Sequence, residues 1–316
     1  MINLLAYAID TCIYIGIFAI IALSLNLEYG FTGIVNFGKA AFVLIGAYVT
    51  SILMLSGLPF LPSLMISMAL AGFAGFLISL FTLRLKGDYF AIVSLVFAEG
   101  LRVVLKNELW IAGGPLGIKG IPSAIPIDAS NYEAYLLGNL VLIYTSLGLF
   151  FALSHFLLNS PYGRILRAIR EDELLARTLG KDTFLCKIQI VTISSAISAA
   201  AGGLLAQYIG YVNPGFFLPA TMTFSIWAMS ILGGHSTIMG ALLGAALVRS
   251  LGRAMRVLKD YCGLPLDPNN LMYVLSGILM MLVLLFRPEG MLKEGPIKTV
   301  KVMEYEGVRA KAERSH

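Results

Sequence analysis

The sequence predicts an all-α fold, a polytopic transmembrane helical bundle, and two features carry that prediction. Of the 316 residues, 58% are hydrophobic and only 13% are charged, with a mean hydropathy of +0.83, whereas soluble domains carry about 25% charged residues. Apolar residues also form long uncharged runs, such as Tyr14–Leu27 and Val274–Phe286. A bilayer core requires spans of about 20 such residues. These features exclude a soluble globular domain.

Nine spans, within a range of eight to ten, are predicted in a membrane domain that covers residues 1–288. They are placed near 3–27, 32–55, 60–83, 89–106, 135–158, 184–209, 217–233, 236–254 and 270–287. Several are rich in Gly, Ala and Ser, which let helices approach closely in lipid. We expect some of these Gly-rich helices to be broken or re-entrant.

Lysine and arginine residues predict the orientation, because they are enriched in cytoplasmic loops. Five lie between the fifth and sixth spans and seven lie from Arg287 onward, whereas the segment 107–134 has only Lys119. These charges predict an outer loop at 107–134, an N-terminus outside and a cytoplasmic tail at 289–316. The basic residues after the eighth span (Arg253, Arg256 and Lys259) contradict this pattern. Either that span is re-entrant, or one of the nine is two half-helices.

The segment 160–182 predicts a helix outside the bilayer. Ser160 is a suitable N-cap for a helix at 161–179, and Gly180 is a suitable stop. Glu173 and Arg177 form a favourably ordered i,i+4 pair, which we expect to be exposed. From its residues alone, this helix is either an ordinary solvated loop or a docking element.

The stretch GIVNFGKAA at Gly33–Ala41 resembles a nucleotide-binding Walker A loop without meeting its requirements. Such a loop needs a preceding strand and a hydroxyl residue after the lysine to hold magnesium, but Ala40 follows Lys39 here. We therefore expect no nucleotide at this site. Lys39 either faces the interior of the bundle, as charges in spans usually do, or snorkels to the interface.

Three other residues stand out: Glu99 and Asp10 within predicted spans, and His235 between two of them. Glu99 is either a proton-relay carboxylate or the local partner of Arg102, which we favour. Asp10 has no evident partner in the sequence. His235, in a Gly-Gly-His turn, is expected to form hydrogen bonds at a helix end.

Enzymatic and metal-binding functions lack support in the sequence. The three cysteines (Cys12, Cys186 and Cys262) are widely spaced and form neither a disulfide framework nor a metal site. There is no HExxH or acidic metal motif. The net charge of +5 is expected of cytoplasmic loops in a membrane protein, so no nucleic-acid partner is predicted.

The stretch YGFTGIVNFGKAAFVLIGAY resembles the first signature of the branched-chain amino acid ABC permeases of the high-affinity "M" type. Three further segments agree, in order: LRLKGDYFAIVSLVFAEGLR at 83–102, SPYGRILRAIREDELLARTLGKD at 160–182 and LFRPEGML at 285–292. The segment SILGGHSTIMGALLGA at 230–245 is a weaker match. Lys39 stands where the family usually has histidine, and Met239 where proline is common.

The resemblance implies an importer subunit without catalysis of its own, in a prokaryotic cytoplasmic membrane. It would form a heterodimer with a sister permease and would lie in membrane lipid. Two cytoplasmic ATPases, which would bind the ATP and magnesium, would drive it. An extracytoplasmic binding protein would deliver a branched-chain amino acid, or a related small solute such as urea. This chain itself would bind no cofactor.

The resemblance also assigns a role to one segment of the chain. The helix 161–179 would be the coupling helix that docks on an ATPase. Its contact residues would be Gly163, Arg164, Ala168, Arg170, Glu171, Asp172 and Gly180. Candidate residues of the translocation path are Asn36, Gly38, Lys39, Glu99, Gly234 and His235. The alternative function is an ion-coupled secondary transporter, which would also be a bundle with Gly-broken spans.

Overall fold

Helices make up most of the described chain, as the sequence predicts. The structure is a computed structural model that describes residues 4–83, 88–125, 132–262, 268–286 and 290–292. Its helices are α1 Leu4–Thr32, α2 Lys39–Leu55, α3 Phe60–Thr82, α4 Asp88–Asn107, α5 Leu109–Ala112, α6 Tyr132–Asn159, α7 Pro161–Glu171, α8 Glu173–Thr178, α9 Thr183–Ile209, α10 Pro219–Gly233, α11 Ile238–Cys262 and α12 Pro268–Phe286.

Each predicted span coincides with one long helix, but the number that cross the membrane stays a prediction. Five helices (α1, α3, α6, α9 and α11) contain stretches long and apolar enough to cross, and α2 is apolar but shorter. The main difference lies in the second span, predicted to begin at residue 32. Helix α2 begins only at Lys39, and residues 33–38 are not helical.

The antiparallel packing of α1 and α11 defines two ends of the bundle. Asp10 of α1 pairs with Arg253, whereas Asn26 donates a 2.6 Å hydrogen bond to the Thr237 carbonyl, just before α11. The first end holds the start of α1 and the end of α11. The second end holds the end of α1 and also α7, since Arg170 donates to the Gly30 carbonyl at 2.7 Å.

Helix α11 is continuous from Ile238 to Cys262. Arg253 and Arg256 therefore lie at the first end, beside the start of α1. Whether this span is re-entrant in the membrane stays a prediction.

The predicted outer loop is more ordered than its Gly and Pro content suggested. It contains α5, a short 3-10 helix at Gly114–Leu116, and strand β1 (Ile118–Lys119). Strand β1 pairs antiparallel with β2 (Tyr211–Val212), which follows α9. This pairing requires Gly117, because a Cβ there would lie 2.0 Å from the Val212 carbonyl oxygen. Residues 126–131 of the loop lie outside the described residues.

The single helix predicted at 161–179 is wrong, because α7 and α8 are separate. Asp172 is extended between them (φ −156°, ψ 106°), and its carboxylate accepts from the backbone N–H of Leu174 at 2.8 Å and Leu175 at 3.0 Å. An aspartate that caps the next helix competes with continuation of the first. Gly180 follows α8 with φ +76°, as expected for a helix stop.

The predicted cytoplasmic tail at 289–316 lies almost wholly outside the described residues. Only Gly290–Leu292 is described, and it packs against the end of α10. The backbone N–H groups of Met291 and Leu292 donate to the carbonyls of Leu232 and Gly233, both at 3.1 Å.

Glycine residues allow the close contact between α2 and α9. A Cβ at Gly46 would lie 2.0 Å from the Ala199 carbonyl oxygen, and one at Gly202 would lie 2.0 Å from that of Val43. Small residues therefore bring the two backbones together, as the Gly- and Ala-rich spans predict.

We predict that Gly46→Val lowers the free energy of unfolding by about 2 kcal/mol or more, because the new side chain overpacks the α2–α9 contact. The matched control is Gly148→Val, because an added Cβ at Gly148 would meet no atom within 4 Å. Unfolding in detergent, followed by intrinsic fluorescence, measures both variants. Equal stability of the two variants would contradict this packing.

Candidate functional site at the break between α1 and α2

The chain leaves helical geometry between α1 and α2, and we call residues 33–38 the break. Gly33 has φ +71°, which ends α1, and the backbone then runs irregularly to Lys39. Asn36 and Gly38 are buried. Non-helical backbone at membrane depth is tolerated only where protein or a water-filled cavity surrounds it.

Side chains on the break and on α4 satisfy its backbone. The Asn36 side-chain oxygen accepts from the Gly38 N–H at 2.7 Å. Ser94 of α4 accepts from the Phe37 N–H at 3.1 Å. Gly38 is required here, because a Cβ would lie 2.7 Å from the Ser94 carbonyl oxygen. Helix α4 is thus in direct contact with the break.

Helix α10 covers the other side of the break. The indole N–H of Trp227 donates to the Asn36 carbonyl at 3.2 Å, and Thr223 accepts from the Ala40 N–H at 3.4 Å. The Phe37 ring lies 5.2 Å from that of Trp227. The break is therefore held from both sides by hydrogen bonds and by aromatic contact.

Lys39, the first residue of α2, forms a fully buried ion pair. Its Nζ donates to Glu28 Oε1 at 3.0 Å, and both side chains are 0% exposed. It also donates to the hydroxyl of Ser194 on α9. The snorkelling interpretation is therefore wrong, because the ammonium lies inside the bundle and not at its surface.

Serine hydroxyls connect this ion pair to the contact between α1 and α9. Ser194 donates to the Ser24 carbonyl at 2.7 Å, and the hydroxyls of Ser24 and Ser198 lie 2.7 Å apart. The network thus joins three helices through groups that are all buried. Buried polar networks of this kind specify one arrangement of the elements that they connect.

Two buried polar atoms at the site have no hydrogen-bond partner among the described residues. They are Glu28 Oε2 and the side-chain nitrogen of Asn36. A buried unsatisfied polar group is costly. These two atoms are therefore available to a water or solute group, or to a different arrangement of the break.

Glu99 is not part of this network. Its carboxylate binds Arg102 one turn further along α4, with a distance of 3.0 Å from the arginine Nε. The favoured interpretation, local pairing, agrees with this geometry. Its predicted place in a translocation path stays a prediction.

Gly234 and His235 lie at the second end, in the turn between α10 and α11. Gly234 has φ +110°, and a Cβ there would lie 2.4 Å from the Leu292 carbonyl oxygen. The His235 ring lies 5.2 Å from that of Tyr29, which in turn contacts Trp227 at 4.7 Å. The turn therefore contacts the site through Tyr29, whose ring lies against the rings of both His235 and Trp227.

The partner of Asp10 was not predicted from the sequence. The carboxylate pairs with Arg253 and accepts from the Tyr208 hydroxyl. Arg253 is 243 positions away along the chain, so local spacing could not indicate this contact.

The candidate contact residues of the coupling segment fall into two groups. Gly163 is buried, and a Cβ there would lie 2.1 Å from the Leu158 carbonyl oxygen. In the structure Gly163 packs α7 against the end of α6, and its contact with an ATPase stays a prediction. The exposed residues are Arg164, Ala168, Glu171, Asp172 and Gly180. Arg170 is half-buried and contacts Gly30.

Glu173 does more than form the expected exposed pair with Arg177 at 3.0 Å. It also binds Lys187 of α9 at 2.6 Å and accepts from Thr183 at 3.1 Å. Partial burial alone would raise the pKa of Glu173, but the Lys187 hydrogen bond and charge, with Thr183 and Arg177, outweigh it and hold the pKa below its usual range. Glu173 thus fastens α8 to α9.

Three leucines on and just after α8 are exposed. Leu174 is 73% exposed, Leu175 59% and Leu179 70%. The residue that α8 buries is Ala176. Helix α8 thus presents apolar side chains outward while Glu173 holds its other side.

The part of the chain that the structure describes contains no group of three or more His, Cys, Asp or Glu residues arranged to hold a metal ion. The chemical groups at the break and beside it are an ion pair, hydroxyls, an amide and aromatic rings.

Comparisons with known proteins agree with this architecture. Residues 7–284 match the family described as "Branched-chain amino acid transport system / permease component". A probable branched-chain amino acid transport permease protein LivM of Methanocaldococcus jannaschii is 32% identical, over 93% of this chain and 97% of that protein.

Two proteins of Escherichia coli (strain K12) are also similar. Its high-affinity branched-chain amino acid transport system permease protein LivM is 34% identical, over 87% of this chain and 68% of that protein. The corresponding LivH is 27% identical, over 90% and 93%. No solved structure matches. The family match covers most of the chain, and the chain belongs to the branched-chain amino acid transport permease family, whose members are integral membrane transport components.

Proposed function

We propose that this chain is the membrane subunit of an ATP-driven importer for branched-chain amino acids. Family membership supports transport of these solutes. The observation that carries the ATP-driven assignment is the exposed leucine surface of α8, formed by Leu174, Leu175 and Leu179. Exposed apolar side chains that lie together on the surface are typical of an interaction site.

The partner at the α8 leucines would be one of two cytoplasmic ATPases. This assignment places the second end in the cytoplasm and the first end outside, in agreement with the basic residues of 160–182. An extracytoplasmic binding protein would deliver the solute to the first end. Similarity to both a LivM and a LivH of one organism supports a related but different permease as the second membrane subunit.

A continuous set of contacts connects the α8 surface to the break. Glu173 fastens α8 to α9 through Lys187. On α7, Arg170 holds the Gly30 carbonyl at 2.7 Å, two residues after Glu28 in α1. Movement of α7 and α8 by an ATPase would therefore act on the end of α1 that carries the buried ion pair.

The break offers a means of opening and closing the path. Its hydrogen bonds to Ser94 and Trp227 connect it to α4 and α10. Because the break is not helical, regular helix hydrogen bonds do not fix its conformation. A shift of α1 would exchange these contacts and expose the unsatisfied Glu28 and Asn36 atoms to solute or water. The two states would then be two alternative packings of α1 and the break, and not two degrees of a gradual bend.

Reconstitution tests the proposal directly. The chain, its sister permease and the ATPases are placed in proteoliposomes with the binding protein, and uptake of labelled leucine is measured. We expect uptake to require ATP and to persist when a protonophore and a sodium ionophore collapse ion gradients. Uptake that needs an ion gradient and no ATP would support the secondary transporter instead.

We predict that Leu179→Asn weakens ATPase association about tenfold, because burial of a leucine side chain contributes about 1.5 kcal/mol or more. The matched control is Leu116→Asn, a leucine with the same degree of exposure (71% against 70%) at the first end. Copurification and solute-stimulated ATP hydrolysis measure both. Equal coupling in the two variants would remove α8 from the mechanism.

We predict that Lys39→Met abolishes uptake, since it leaves Glu28 buried without its partner charge. Lys39→His should retain part of the activity, because a protonated imidazole can still donate to Glu28. Lys106→Met, at an exposed position at the end of α4, is the control for loss of one positive charge. Uptake is compared at equal amounts of assembled complex. Full activity of Lys39→Met in that comparison would contradict the role of the ion pair.

A further inference from the structure

Three arginines on one face of α11 surround a cavity at the first end of the bundle. Arg249, Arg253 and Arg256 are spaced i, i+4 and i+7, which places them on the same side of a helix. The cavity has a volume of about 90 Å³. Its lining residues are Thr11, Tyr14, Arg249, Gly252, Arg253 and Arg256.

The central arginine is held firmly in place. Arg253 pairs with Asp10, and its guanidinium carbon lies 5.1 Å from the ring centres of both Tyr7 and Tyr14. The Tyr7 hydroxyl also donates to the Arg253 carbonyl at 3.3 Å. The cavity wall is therefore a built arrangement of charge and aromatic rings.

The other two arginines extend from the interior to the surface. The Arg249 guanidinium lies over the Phe18 ring, 3.1 Å from its centre, whereas Arg256 is exposed. The described lining residues include these three cations and no carboxylate. Asp10 pairs with one of these cations, Arg253.

Membrane orientation does not account for these charges. They lie at the first end, opposite the basic segment that contains α7 and α8, so the charge bias of cytoplasmic loops cannot explain both groups. A stretch of α11 that is apolar enough to cross the membrane includes all three arginines, and the helix continues beyond Arg256 to Cys262. The three arginines therefore belong to a helix that could cross the membrane, and they lie at the first end of the bundle.

We propose that this cavity binds the phosphate group of a membrane phospholipid. Guanidinium groups match phosphate oxygens with two parallel hydrogen bonds. The exposed Arg256 would meet the headgroup first, and Arg249 and Arg253 would hold the phosphate deeper, beside the hydroxyl of Tyr14. A bound lipid would join α1 to α11 at the first end. The phosphate of an anionic lipid such as phosphatidylglycerol would place its negative charge beside these guanidinium groups.

Lipid titration followed by native mass spectrometry of the full-length detergent-purified chain tests the proposal. The probes are phosphatidylglycerol, diacylglycerol with the same acyl chains but no phosphate, and inorganic phosphate. We expect phosphatidylglycerol to bind at least about tenfold more tightly than diacylglycerol, because charge-assisted hydrogen bonds form only with the phosphate.

Variants locate the binding. Arg256→Gln should weaken phosphatidylglycerol binding several-fold. Because Arg256 is exposed, we expect this change to leave folding intact. Arg249→Gln combined with Arg256→Gln should weaken it by about tenfold or more. Lys106→Gln, which removes one positive charge from the exposed end of α4, should leave it unchanged.

Three results would overturn the proposal. Equal binding of phosphatidylglycerol and diacylglycerol would show that only the acyl chains are recognised. Equal losses in Arg256→Gln and Lys106→Gln would show non-specific charge attraction. Binding of inorganic phosphate at the arginines, with no arginine-dependent binding of phosphatidylglycerol, would assign the cavity to a free anion.

Discussion

The buried ion pair between Glu28 and Lys39 is the interaction on which the candidate site depends. Both side chains are 0% exposed, so folding removes two charges from water at a cost of several kcal/mol each. Such a pair persists only when further hydrogen bonds support it. Ser194 supplies one, and it is itself fixed by the Ser24 carbonyl. Loss of either charge would leave the other buried without a partner.

The pair also dictates the path of the chain around it. Lys39 begins α2 and Glu28 lies in the last turns of α1, so bringing the two together forces residues 33–38 to turn inside the protein. That irregular backbone then needs partners, and Ser94 and Trp227 provide them. The positions of α4 and α10 thus follow from the need to satisfy the break.

The sequence predicted the helices well and the polar contacts poorly, for physical reasons. Long apolar runs are a direct consequence of the hydrocarbon thickness, so every long helix was predicted, although α2 begins at Lys39 and not at residue 32. The ion pair between Glu28 and Lys39 joins residues 11 apart across the break, a spacing that no helix brings together, so it was not predicted. The contact between Asp10 and Arg253 depends entirely on the packing of α1 against α11.

In two other cases, Asp172 and Lys39, the local sequence indicates the observed structure, but the prediction followed a different signal. Asp172, followed at once by Glu173, is a typical start of a new helix, yet a single helix at 161–179 was predicted across it. The snorkelling alternative for Lys39 assumed a short distance from the start of a span that was predicted to begin at residue 32. Because α2 begins at Lys39 itself, that distance does not describe its depth.

A double-mutant cycle on the ion pair tests most directly whether it organises the site. The free energy of unfolding is measured in detergent for the wild type, Glu28→Gln, Lys39→Met and the double variant. We expect each single change to cost about 3 kcal/mol or more, because it leaves a buried charge unpaired. The double variant should lose about 2 kcal/mol less than the sum of the two. Additive losses, within about 0.5 kcal/mol, would contradict a direct interaction between Glu28 and Lys39.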